Sequence, residues 1–570
     1  MTSALPGLRT LSTYQMKWLP RDVVAGLVLT ALLVPQGMAY AELAGLPTIT
    51  GLYTSILCLV AYAIFGPSKI LVLGPDSSLG PMIAATVIPL VAADGDPGRA
   101  VALASMLAIM VGVITVLAGT AKLGFIADLL SKPTQIGYMN GLALTILVGQ
   151  LPKLFGFSVE GDGLVSEATG FVSGVASGET VAASLAIGLL GLVLILVLQR
   201  FLPRVPAVLV AVVVSILAAN LFELAAHGVS LVGGLPKGFP PFTIPSVPVS
   251  DIALLVGGAA GIALVSLTDT ISTASAFAAR QGAVVDGNKE MIGIGTSNIA
   301  AGFFQGFPVS TSGSRTAVAE QAGAKTQLTG LVGALAITLM LLFVPGLLRN
   351  LPQPTLAAVV IAASLSLADI PGTVRLLRQR RTEFALSIAA FLGVALLGVL
   401  PGIAIAVALS IGNVFRRAWW PYQAVLGRAR DVPGYHDVRS YPDAELLPGC
   451  ILFRFDAPLF FANARTFRER IRALAVSDPP PVWIIIAAEP ITDVDTTAAD
   501  MLEDLDQELN DRGISLAFAE MKDPVRRKIE RYELTRTIDP NHFFPTMDAA
   551  IDAFREHTGA TWATSQTRID

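Results

Sequence analysis

The sequence predicts an all-α membrane domain followed by a smaller α/β domain at the C-terminal end. Of the 570 residues, 53% are hydrophobic and only 14% are charged, and the mean hydropathy is +0.66, as in membrane proteins. Apolar segments follow one another almost without interruption from residue 22 to residue 416. After Arg416 and Arg417 the composition changes, and short apolar runs alternate with amphipathic ones. That alternation favours a parallel or mixed sheet with helices.

The apolar region divides into fourteen predicted transmembrane segments. Two of them, 78–92 and 312–322, are too short to cross a bilayer of about 30 Å as straight helices. We therefore expect these two to be half-helices that end inside the membrane. The predicted segments are 22–43, 49–65, 78–92, 99–118, 133–151, 181–200, 204–223, 252–276, 288–305, 312–322, 326–346, 353–368, 383–400 and 402–416.

The loop charges predict the orientation of the chain. If the N-terminus is cytoplasmic, the outward loops carry few basic residues: Arg99, Lys153, Lys237 and Arg349. The inward loops carry Lys69, Lys122, Lys132, Arg200, Arg204, Arg280, Lys289, Lys325, Arg375, Arg378, Arg380 and Arg381. Because basic loops stay in the cytoplasm, we predict a multi-pass protein of the cell inner (plasma) membrane with both termini cytoplasmic.

The predicted domain boundaries follow from these patterns. Residues 1–20 form a short cytoplasmic arm, 21–417 the transmembrane domain, 418–446 a linker, 447–557 the α/β domain and 558–570 a tail. Within the α/β domain, strands are expected at 450–455, 482–488 and 514–520. Amphipathic helices are expected at 464–474 and 498–512.

The two predicted half-helices correspond at a fixed offset of 233 residues. This offset carries Pro75 onto Pro308, Ser77 onto Ser310, Ser78 onto Thr311, Gly80 onto Gly313 and Gln36 onto Asp269. A constant spacing across separate helix pairs indicates duplication, and seven segments per half make the second copy inverted. Paired interrupted helices in an inverted repeat predict a substrate site near the bilayer midplane. Chance similarity among segments rich in Gly, Ser and Pro is the alternative interpretation.

A polar stretch in the second half carries the predicted chemistry. Residues 307–316 hold five hydroxyl side chains, one glycine and Arg315 in an otherwise apolar region. Buried polar groups need partners, and the start of a helix attracts anions through its free N–H groups. A polar loop between two helices is the alternative, but it leaves Arg315 unexplained. The predicted substrate-binding residues are Gln36, Tyr40, Asp76, Ser77, Ser312, Gly313, Ser314 and Arg315.

Two features of the first half qualify this prediction. Pro35 is expected to break the first segment, so that the amide of Gln36 can donate to an anion. Asp76 would repel an anion unless its carboxylate is protonated or paired.

A carboxylate within a membrane segment predicts coupling to a cation. Asp269 and Thr273 are one helical turn apart and face the same side. An intramembrane carboxylate predicts a proton or cation partner, so we expect these two residues to couple transport to Na⁺ or H⁺. A structural ion pair between Asp269 and Arg315 is the alternative. No other cofactor is expected.

The sequence indicates neither an enzyme nor a nucleic-acid-binding protein. It contains no phosphate-binding loop lysine, no clustered His and Cys residues at metal-ligand spacing, and no plausible Ser–His pair in the membrane part. Lys and Arg total 39 against 43 Asp and Glu, so the net charge is −4 and nucleic acid is not suggested.

These residues resemble the sulfate permease (SulP) family of anion transporters over nearly the whole chain. The block from Val34 to Pro47 (VPQGMAYAELAGLP) is similar to the family signature of the first span. The LGP motif at 73–75, SGSR at 312–315 and GAKTQL at 323–328 are similar to its third and tenth spans. The C-terminal domain resembles the STAS domain that follows the transporter in this family.

The resemblance implies an architecture and several roles. It implies a seven-plus-seven inverted repeat, with a core of spans 1–4 and 8–11, a gate of spans 5–7 and 12–14, and a homodimer. It places Gln36, Tyr40 and residues 312–315 at the anion site, and Asp269 and Thr273 where sodium-coupled bicarbonate members hold the cation. Thr497 takes the phosphoacceptor position of stand-alone STAS proteins, although helix capping by Asp495 or Thr496 is favoured for that loop.

We therefore predict a secondary active transporter of a small anion (sulfate, bicarbonate or a dicarboxylate) that is coupled to Na⁺ or H⁺ and works by an elevator-type movement. The alternatives are an uncoupled anion channel or exchanger, a nucleobase–proton symporter of the same architecture, and a membrane receptor whose output is the STAS domain. The expected partners are the anion, the lipid bilayer and a second copy of the chain.

Overall fold

The computed structural model describes residues 6–8, 13–91, 95–125, 130–159, 163–202, 205–280, 282 and 284–564. Parts of the predicted arm and tail, and the loop residue Arg204, lie outside the described residues. The chain divides into two compact units, Met1–Ile411 and Gly412–Asp570.

The first unit is helical. Every one of the fourteen predicted segments contains a helix. Among the described residues, seven helical stretches are long and apolar enough to cross a membrane: Met16–Leu43, Thr48–Phe65, Pro97–Thr120, Ala182–Phe201, Val249–Arg280, Gln353–Gln379 (two consecutive helices) and Val399–Trp419. The number of spans remains a prediction. The helices are α1 (Leu19–Leu43), α2 (Thr48–Phe65), α3 (Gly80–Val91), α4 (Pro97–Thr120), α5 (Lys132–Phe155), α6 (Leu164–Ala176), α7 (Ala182–Phe201), α8 (Ala207–Leu221), α9 (Val249–Arg280), α10 (Gly287–Phe303), α11 (Gly313–Gln321), α12 (Leu328–Phe343), α13 (Gln353–Leu367), α14 (Ile370–Gln379), α15 (Arg381–Leu397) and α16 (Val399–Trp419).

The structure differs from the sequence-based expectation in three of these helices. Helix α1 runs without interruption through Pro35, so the expected break is wrong. A proline removes one backbone hydrogen bond, and here the helix continues on both sides of it. Helices α6 and α14 were not expected, because each is a short amphipathic segment in a loop. Phe171 of α6 packs against Phe155 and Phe157.

Helix packing separates the first unit into two groups. Helices α1–α4 and α9–α12 pack mainly against one another and form what we call the core group. Helices α5–α8, α13 and α15 form the gate group. Helix α16 joins this group, because a Cβ on Gly402 would lie 2.4 Å from Val394 of α15 and the hydroxyl of Ser410 accepts from the N–H of Ser131 at 2.8 Å. The two groups meet where α1 packs against α8 and α13. This division agrees with the core and gate expected from the resemblance.

Glycines allow the closest helix approaches within each group. In the core group, a Cβ on Gly51 would lie 1.9 Å from the carbonyl oxygen of Gly37, so α1 and α2 touch through their backbones. In the gate group, a Cβ on Gly137 would lie 2.0 Å from the carbonyl oxygen of Ser387. Any side chain at either glycine would force two helices apart.

A buried carboxylate ties the start of α1 to the loop after α11. Asp22 is fully buried, and its Oδ1 accepts from the backbone N–H groups of Lys325 (2.6 Å) and Thr326 (3.2 Å). The hydroxyl of Thr329 also donates to it at 3.1 Å. These bonds satisfy the carboxylate and fix the far end of α11 against the first helix.

The second unit is built on a mixed sheet. Its strands are numbered after two short strands of the first unit, β1 (Leu73–Gly74) and β2 (Ser310–Thr311): β3 (Gln423–Arg428), β4 (Tyr435–Asp437), β5 (Glu445–Leu446), β6 (Cys450–Phe455), β7 (Trp483–Ala487), β8 (Ser515–Ala519), β9 (Phe543–Phe544) and β10 (Ala563–Thr564). The strand order is β10-β5-β3-β6-β7-β8-β9, and β4 pairs with β3. Strands β6 to β9 are parallel to one another, and the remaining pairs are antiparallel. The helices are α17 (Ala464–Ala475), α18 (Thr496–Asn510), α19 (Asp523–Arg531) and α20 (Met547–Thr558).

The expected linker at 418–446 needs correction. Residues 423–428 form β3, which pairs with β6 from Gln423 opposite Phe455 to Leu426 opposite Leu452. Part of the segment therefore belongs to the sheet, although its composition is polar. The sequence did not predict these strands because β4 and β5 are only two or three residues long. Strands of that length are too short to show the alternation of apolar and polar residues by which a strand is predicted.

Candidate functional site

The predicted site forms where two short strands cross inside the first unit. Strand β1 (Leu73–Gly74) pairs antiparallel with β2 (Ser310–Thr311), with Leu73 opposite Thr311. Each strand leads into a short helix, β1 into α3 and β2 into α11. Because the strands are antiparallel, the two helices leave the crossing in opposite directions. Both helix N-termini therefore start near one point within the protein, where their free N–H groups attract negative charge.

Side chains from the core group hold this crossing in place. Asn298 accepts from the N–H of Val309 (2.9 Å), and Ser266 donates to the carbonyl of the same residue (2.9 Å). In the segment that leads into β1, Gln327 donates to the carbonyls of Ser68 and Leu71, each at 2.9 Å. Polar groups of an irregular backbone buried at this depth need such partners, which explains why amides and hydroxyls recur in these apolar helices.

Local caps set the start of each half-helix. The carboxylate of Asp76 accepts from both the N–H (3.0 Å) and the hydroxyl (2.7 Å) of Ser78, in the turn before α3. The hydroxyl of Ser312 accepts from the N–H of Arg315 (3.4 Å) and is 3.0 Å from the hydroxyl of Ser314. These contacts are the capping that a Ser/Asp run before a helix predicts.

Arg315 extends from the second half-helix to the first. Its side chain is only 1% exposed, Nη1 donates to the carbonyl of Pro75 at 2.6 Å, and Nη2 is 3.8 Å from Oδ2 of Asp76. A Cβ on Gly74 would lie 3.3 Å from Nη1, so a larger residue there would crowd the guanidinium. Asp76, which would repel an anion alone, is thus paired with Arg315.

The guanidinium is incompletely hydrogen-bonded within the described part of the chain. Nε and Nη2 of Arg315 have no hydrogen-bond partner there, and neither have the buried hydroxyls of Ser310 and Thr311. Leaving a buried charged donor without a full set of hydrogen bonds costs free energy, and a guanidinium beside two helix N-termini favours an anion nearby. The arrangement is suited to a ligand that carries several acceptor oxygens.

Asp269 contacts the turn before the first half-helix. Its Oδ2 accepts from the hydroxyl of Ser78 at 3.3 Å, and among the described residues Arg315 has its ion pair with Asp76. The alternative interpretation of Asp269, a structural ion pair with Arg315, is therefore not formed in this structure. Thr273 lies beside the second half-helix, 4.0 Å from where a Cβ on Gly313 would be.

Ser78 links two carboxylates, and the sequence-based site did not include it. Its hydroxyl is within hydrogen-bond distance of both Asp76 and Asp269, and one O–H can donate to only one acceptor at a time. Two carboxylates near one hydroxyl repel each other when both are ionised, and a shared proton or a nearby cation would relieve this repulsion. The available signal was its position in the Pro75–Ser78 run, directly before the half-helix.

All ten residues predicted to bind the anion or the cation line one cavity of about 1220 Å³. They are Gln36, Tyr40, Asp76, Ser77, Asp269, Thr273, Ser312, Gly313, Ser314 and Arg315. The structure brings them together; their roles remain predictions. The gate group supplies the opposite wall with residues that the sequence did not single out: Gln135, Met139, Val359, Ala362, Ala363 and Ser366. Nothing in their spacing distinguishes them from ordinary helix-packing residues.

The cavity extends toward one end of the helical unit. Its lining continues to Val24 at the start of α1, Gln199 at the end of α7 and Gln321 at the end of α11. At the other end of the unit, Lys153 of the gate group pairs with Glu42 of the core group at 3.1 Å.

Thr497 lies in the second unit. It is exposed in the first turn of α18, whose N-cap is Asp495; that carboxylate accepts from the N–H of Ala498 at 2.8 Å. The capping interpretation of Asp495 is therefore confirmed, and the regulatory role of Thr497 stays a prediction.

Comparison with known proteins identifies the family. A family model described as the sulfate permease family matches residues 19–390. The chain belongs to the sulfate permease family. A second model, described as the STAS domain, matches residues 441–550. The resemblance inferred from the sequence motifs is confirmed, and the second unit is a STAS domain.

Named relatives of this family member extend over nearly its full length. It is 42% identical over 558 residues to a probable sulfate transporter of Mycobacterium tuberculosis, which covers 97% of this chain and 99% of the relative. It is 29% identical over 581 residues to sulfate transporter 1.3 of Arabidopsis thaliana, covering 97% of this chain and 87% of the relative.

Solved structures share the fold of this family member. The murine Solute Carrier 26 family member A9 anion transporter in the inward-facing state aligns with a TM-score of 0.88 at 24% identity, covering 98% of this chain and 94% of that one. The transmembrane domain of the cyanobacterial bicarbonate transporter BicA aligns with a TM-score of 0.60 at 19% identity, over 70% and 99%. The predicted fold class, a helical membrane domain with a C-terminal STAS domain, is confirmed.

Proposed function

We propose that this protein is a secondary active transporter of a small oxyanion, with sulfate as its first candidate substrate. One observation carries the proposal: Nε and Nη2 of the buried Arg315 lack hydrogen-bond partners among the described residues, beside two facing half-helix N-termini. Sulfate offers four oxygens to such donors. The 42% identical relative, named a probable sulfate transporter, supports this substrate; bicarbonate and dicarboxylates remain the competing ones.

We further propose that transport is coupled to Na⁺ or H⁺ through Asp269. The contact of Ser78 with both Asp76 and Asp269 supports this coupling, because a cation or proton there would relieve the repulsion between two carboxylates. Asp76 is already opposite Arg315, which leaves Asp269 as the carboxylate that a cation would neutralise.

We propose an elevator-type movement of the core group against the gate group. All ten predicted ligand residues belong to the core group, and the gate wall of the cavity is mostly apolar. The bound anion and cation would therefore move together with the core group, along a gate group that binds neither ion. With cytoplasmic termini, the cavity would face inward. A homodimer and placement in the inner membrane are part of the same proposal.

A nucleobase–proton symporter is less well supported by the second half-helix. Its one carboxylate, Glu320, lies in the last turn of α11 and pairs with Arg280 at 3.3 Å. It therefore offers no acid beside the half-helix N-terminus, where Arg315 is found.

A liposome uptake experiment tests the proposal. The purified full chain would be reconstituted and given radiolabelled sulfate, bicarbonate, fumarate or uracil, each with and without Na⁺ and pH gradients. We expect saturable sulfate uptake that a cation gradient drives above equilibrium. Uptake of uracil alone, or no uptake of any substrate by correctly folded protein, would contradict the proposal. Flux that no cation gradient can drive uphill would favour the channel or exchanger.

A further inference from the structure

Helix α14 has an exposed apolar face that no described residue covers. Ile370, Val374 and Leu377 are 60%, 40% and 49% exposed. Their spacing of four and three residues places them on one side of the helix. Leu365, at the end of the preceding α13, is also 45% exposed, so this face continues the apolar surface of a membrane-domain helix.

The opposite side of α14 is fixed to the gate group. Gly372 and Leu376 are buried. The amide of Asn140, in α5, donates to the hydroxyl of Thr373 (2.9 Å) and accepts from the N–H of Asp369 (2.7 Å). The exposed face is therefore held in a defined direction by helix α5.

Arginines lie beside the apolar face. Arg378 and Arg375 follow it around the helix, about 80° and 140° from the position of Ile370 at a turn of 100° per residue, and Arg381 begins α15. All three are exposed, and the described residues include no ion pair to any of them, whereas Arg380 is paired with Glu383 at 3.0 Å. Unpaired arginines next to an apolar stripe are what an anionic membrane surface attracts.

We propose that α14 is a binding site for anionic phospholipid headgroups, with its apolar face in the acyl boundary and Arg375, Arg378 and Arg381 on the phosphates. The commitment to lipid rests on the continuity of the apolar face with α13 and on the charge of the arginines. It does not depend on what the protein transports.

The site would act on transport through the gate group. Asn140, which holds α14, is in the same helix as Gln135 and Met139, which line the cavity. Lipid bound to α14 would hold the gate group at a fixed depth while the core group moves. This consequence rests on the proposed function.

Binding can be measured on the purified full chain in detergent. The melting temperature would be followed while phosphatidylglycerol or phosphatidylcholine is added to the wild type and to the R375Q/R378Q/R381Q variant. The matched control, R465Q/R526Q/R536Q, removes the same charge from surface ion pairs of the STAS domain. We expect phosphatidylglycerol to raise the melting temperature of the wild type and the control, and the first variant to need at least about fivefold more lipid.

A second variant and a change of salt concentration complete the lipid-binding experiment. If the glutamine variant does not fold, the R375K/R378K/R381K variant should keep the response, and high salt should weaken the response of the wild type, because exposed charges are screened. An equal response to phosphatidylcholine, a full response in the glutamine variant, or an equal loss in the control would overturn the proposal. A changed oligomeric state without any lipid dependence would instead assign the face to protein contact. Uptake by vesicles with and without phosphatidylglycerol then tests the transport consequence separately.

Discussion

Nη1 of Arg315 donates a hydrogen bond of 2.6 Å to the carbonyl oxygen of Pro75. The two residues are 240 positions apart in the sequence and belong to opposite halves of the repeat. The bond joins the second half-helix to the turn before the first. Its consequence is that the two helix N-termini are held as one unit, with the remaining N–H groups of the guanidinium between them.

Removing Arg315 should weaken anion binding. We expect Arg315→Ala to lower the apparent affinity for sulfate by roughly tenfold, the scale of one charge-assisted hydrogen bond. The half-helix dipoles would keep some binding. The control is Arg280→Ala, which removes an exposed arginine of the same group that pairs with Glu320. The measurement is the KM for sulfate uptake. An unchanged KM in folded Arg315→Ala protein would show that Arg315 does not contribute to anion binding.

A bulky side chain at Ser314 should block the site. Ser314 is exposed to the cavity at the start of α11, so Ser314→Trp would fill the space in front of the half-helix. We expect uptake to be lost while the melting temperature changes little. Val193→Trp places the same indole at an exposed position of α7 and should transport normally. Normal sulfate affinity in Ser314→Trp would place the anion elsewhere.

Coupling of anion transport to a cation should depend on Asp269. Asp269→Asn keeps the shape of the side chain and removes its charge, so gradient-driven accumulation should disappear while exchange continues. Anion and cation should each strengthen binding of the other in the wild type, because such coupling is reciprocal. Replacing Na⁺ at fixed pH separates the two cations. Glu320→Gln is the matched control, and uphill accumulation by Asp269→Asn would end the coupling hypothesis.

The Glu42–Lys153 pair should stabilise the state in which this end of the protein is closed. The pair joins the core group to the gate group, with side chains 19% and 35% exposed. Partly exposed pairs contribute up to about 1 kcal/mol, so Lys153→Met should shift the conformational equilibrium by up to about fivefold. Labelling of a cysteine introduced in the cavity, from each side of the vesicle, measures this shift. We expect the charge-swapped double variant E42K/K153E to restore the wild-type conformational equilibrium. If it does not, the ion pair does not stabilise the closed state.

The stability of the STAS domain should carry a pH dependence from Asp506. Burial raises the pKa of Asp506 to about 6, although Asn510 donates to its carboxylate at 3.0 Å. The folded state therefore holds this proton more tightly than the unfolded state, in which the pKa is about 3.9. Its stabilising contribution is complete below pH 4 and is lost as the pH rises through 6.

Asp506→Asn should consequently raise the melting temperature of this domain at pH 7.5 by about 2–4 °C for each kcal/mol gained, and by less at pH 5. Calorimetry of the full chain at both values measures the difference. Asp500→Asn changes an exposed carboxylate of the same helix and should show no such pH dependence. An equal gain at both pH values would mean that ionisation of Asp506 is not responsible.

The sequence by itself determined the class of the protein, and it singled out the residues that the fold brings together around one cavity. Hydropathy located helices because burial in a bilayer demands long apolar runs, and the 233-residue offset located both half-helices because duplication preserves the residues that end a helix. All ten predicted ligand residues line the cavity. The motifs also led to the family.

Only the tertiary structure decided which of these groups touch. Hydrogen-bond partners depend on how helices from opposite halves cross, and sequence spacing carries no information across 191 or 240 residues. The sequence therefore left a pair between Asp269 and Arg315 open as an alternative, whereas in the structure Asp269 contacts Ser78, and Arg315 contacts Asp76 and Pro75. Tertiary contacts also explain the two other differences from the prediction. Helix α1 continues through Pro35 because packing outweighs the local preference of proline, and residues 423–428 form a strand because hydrogen bonds to β6 outweigh their local preference.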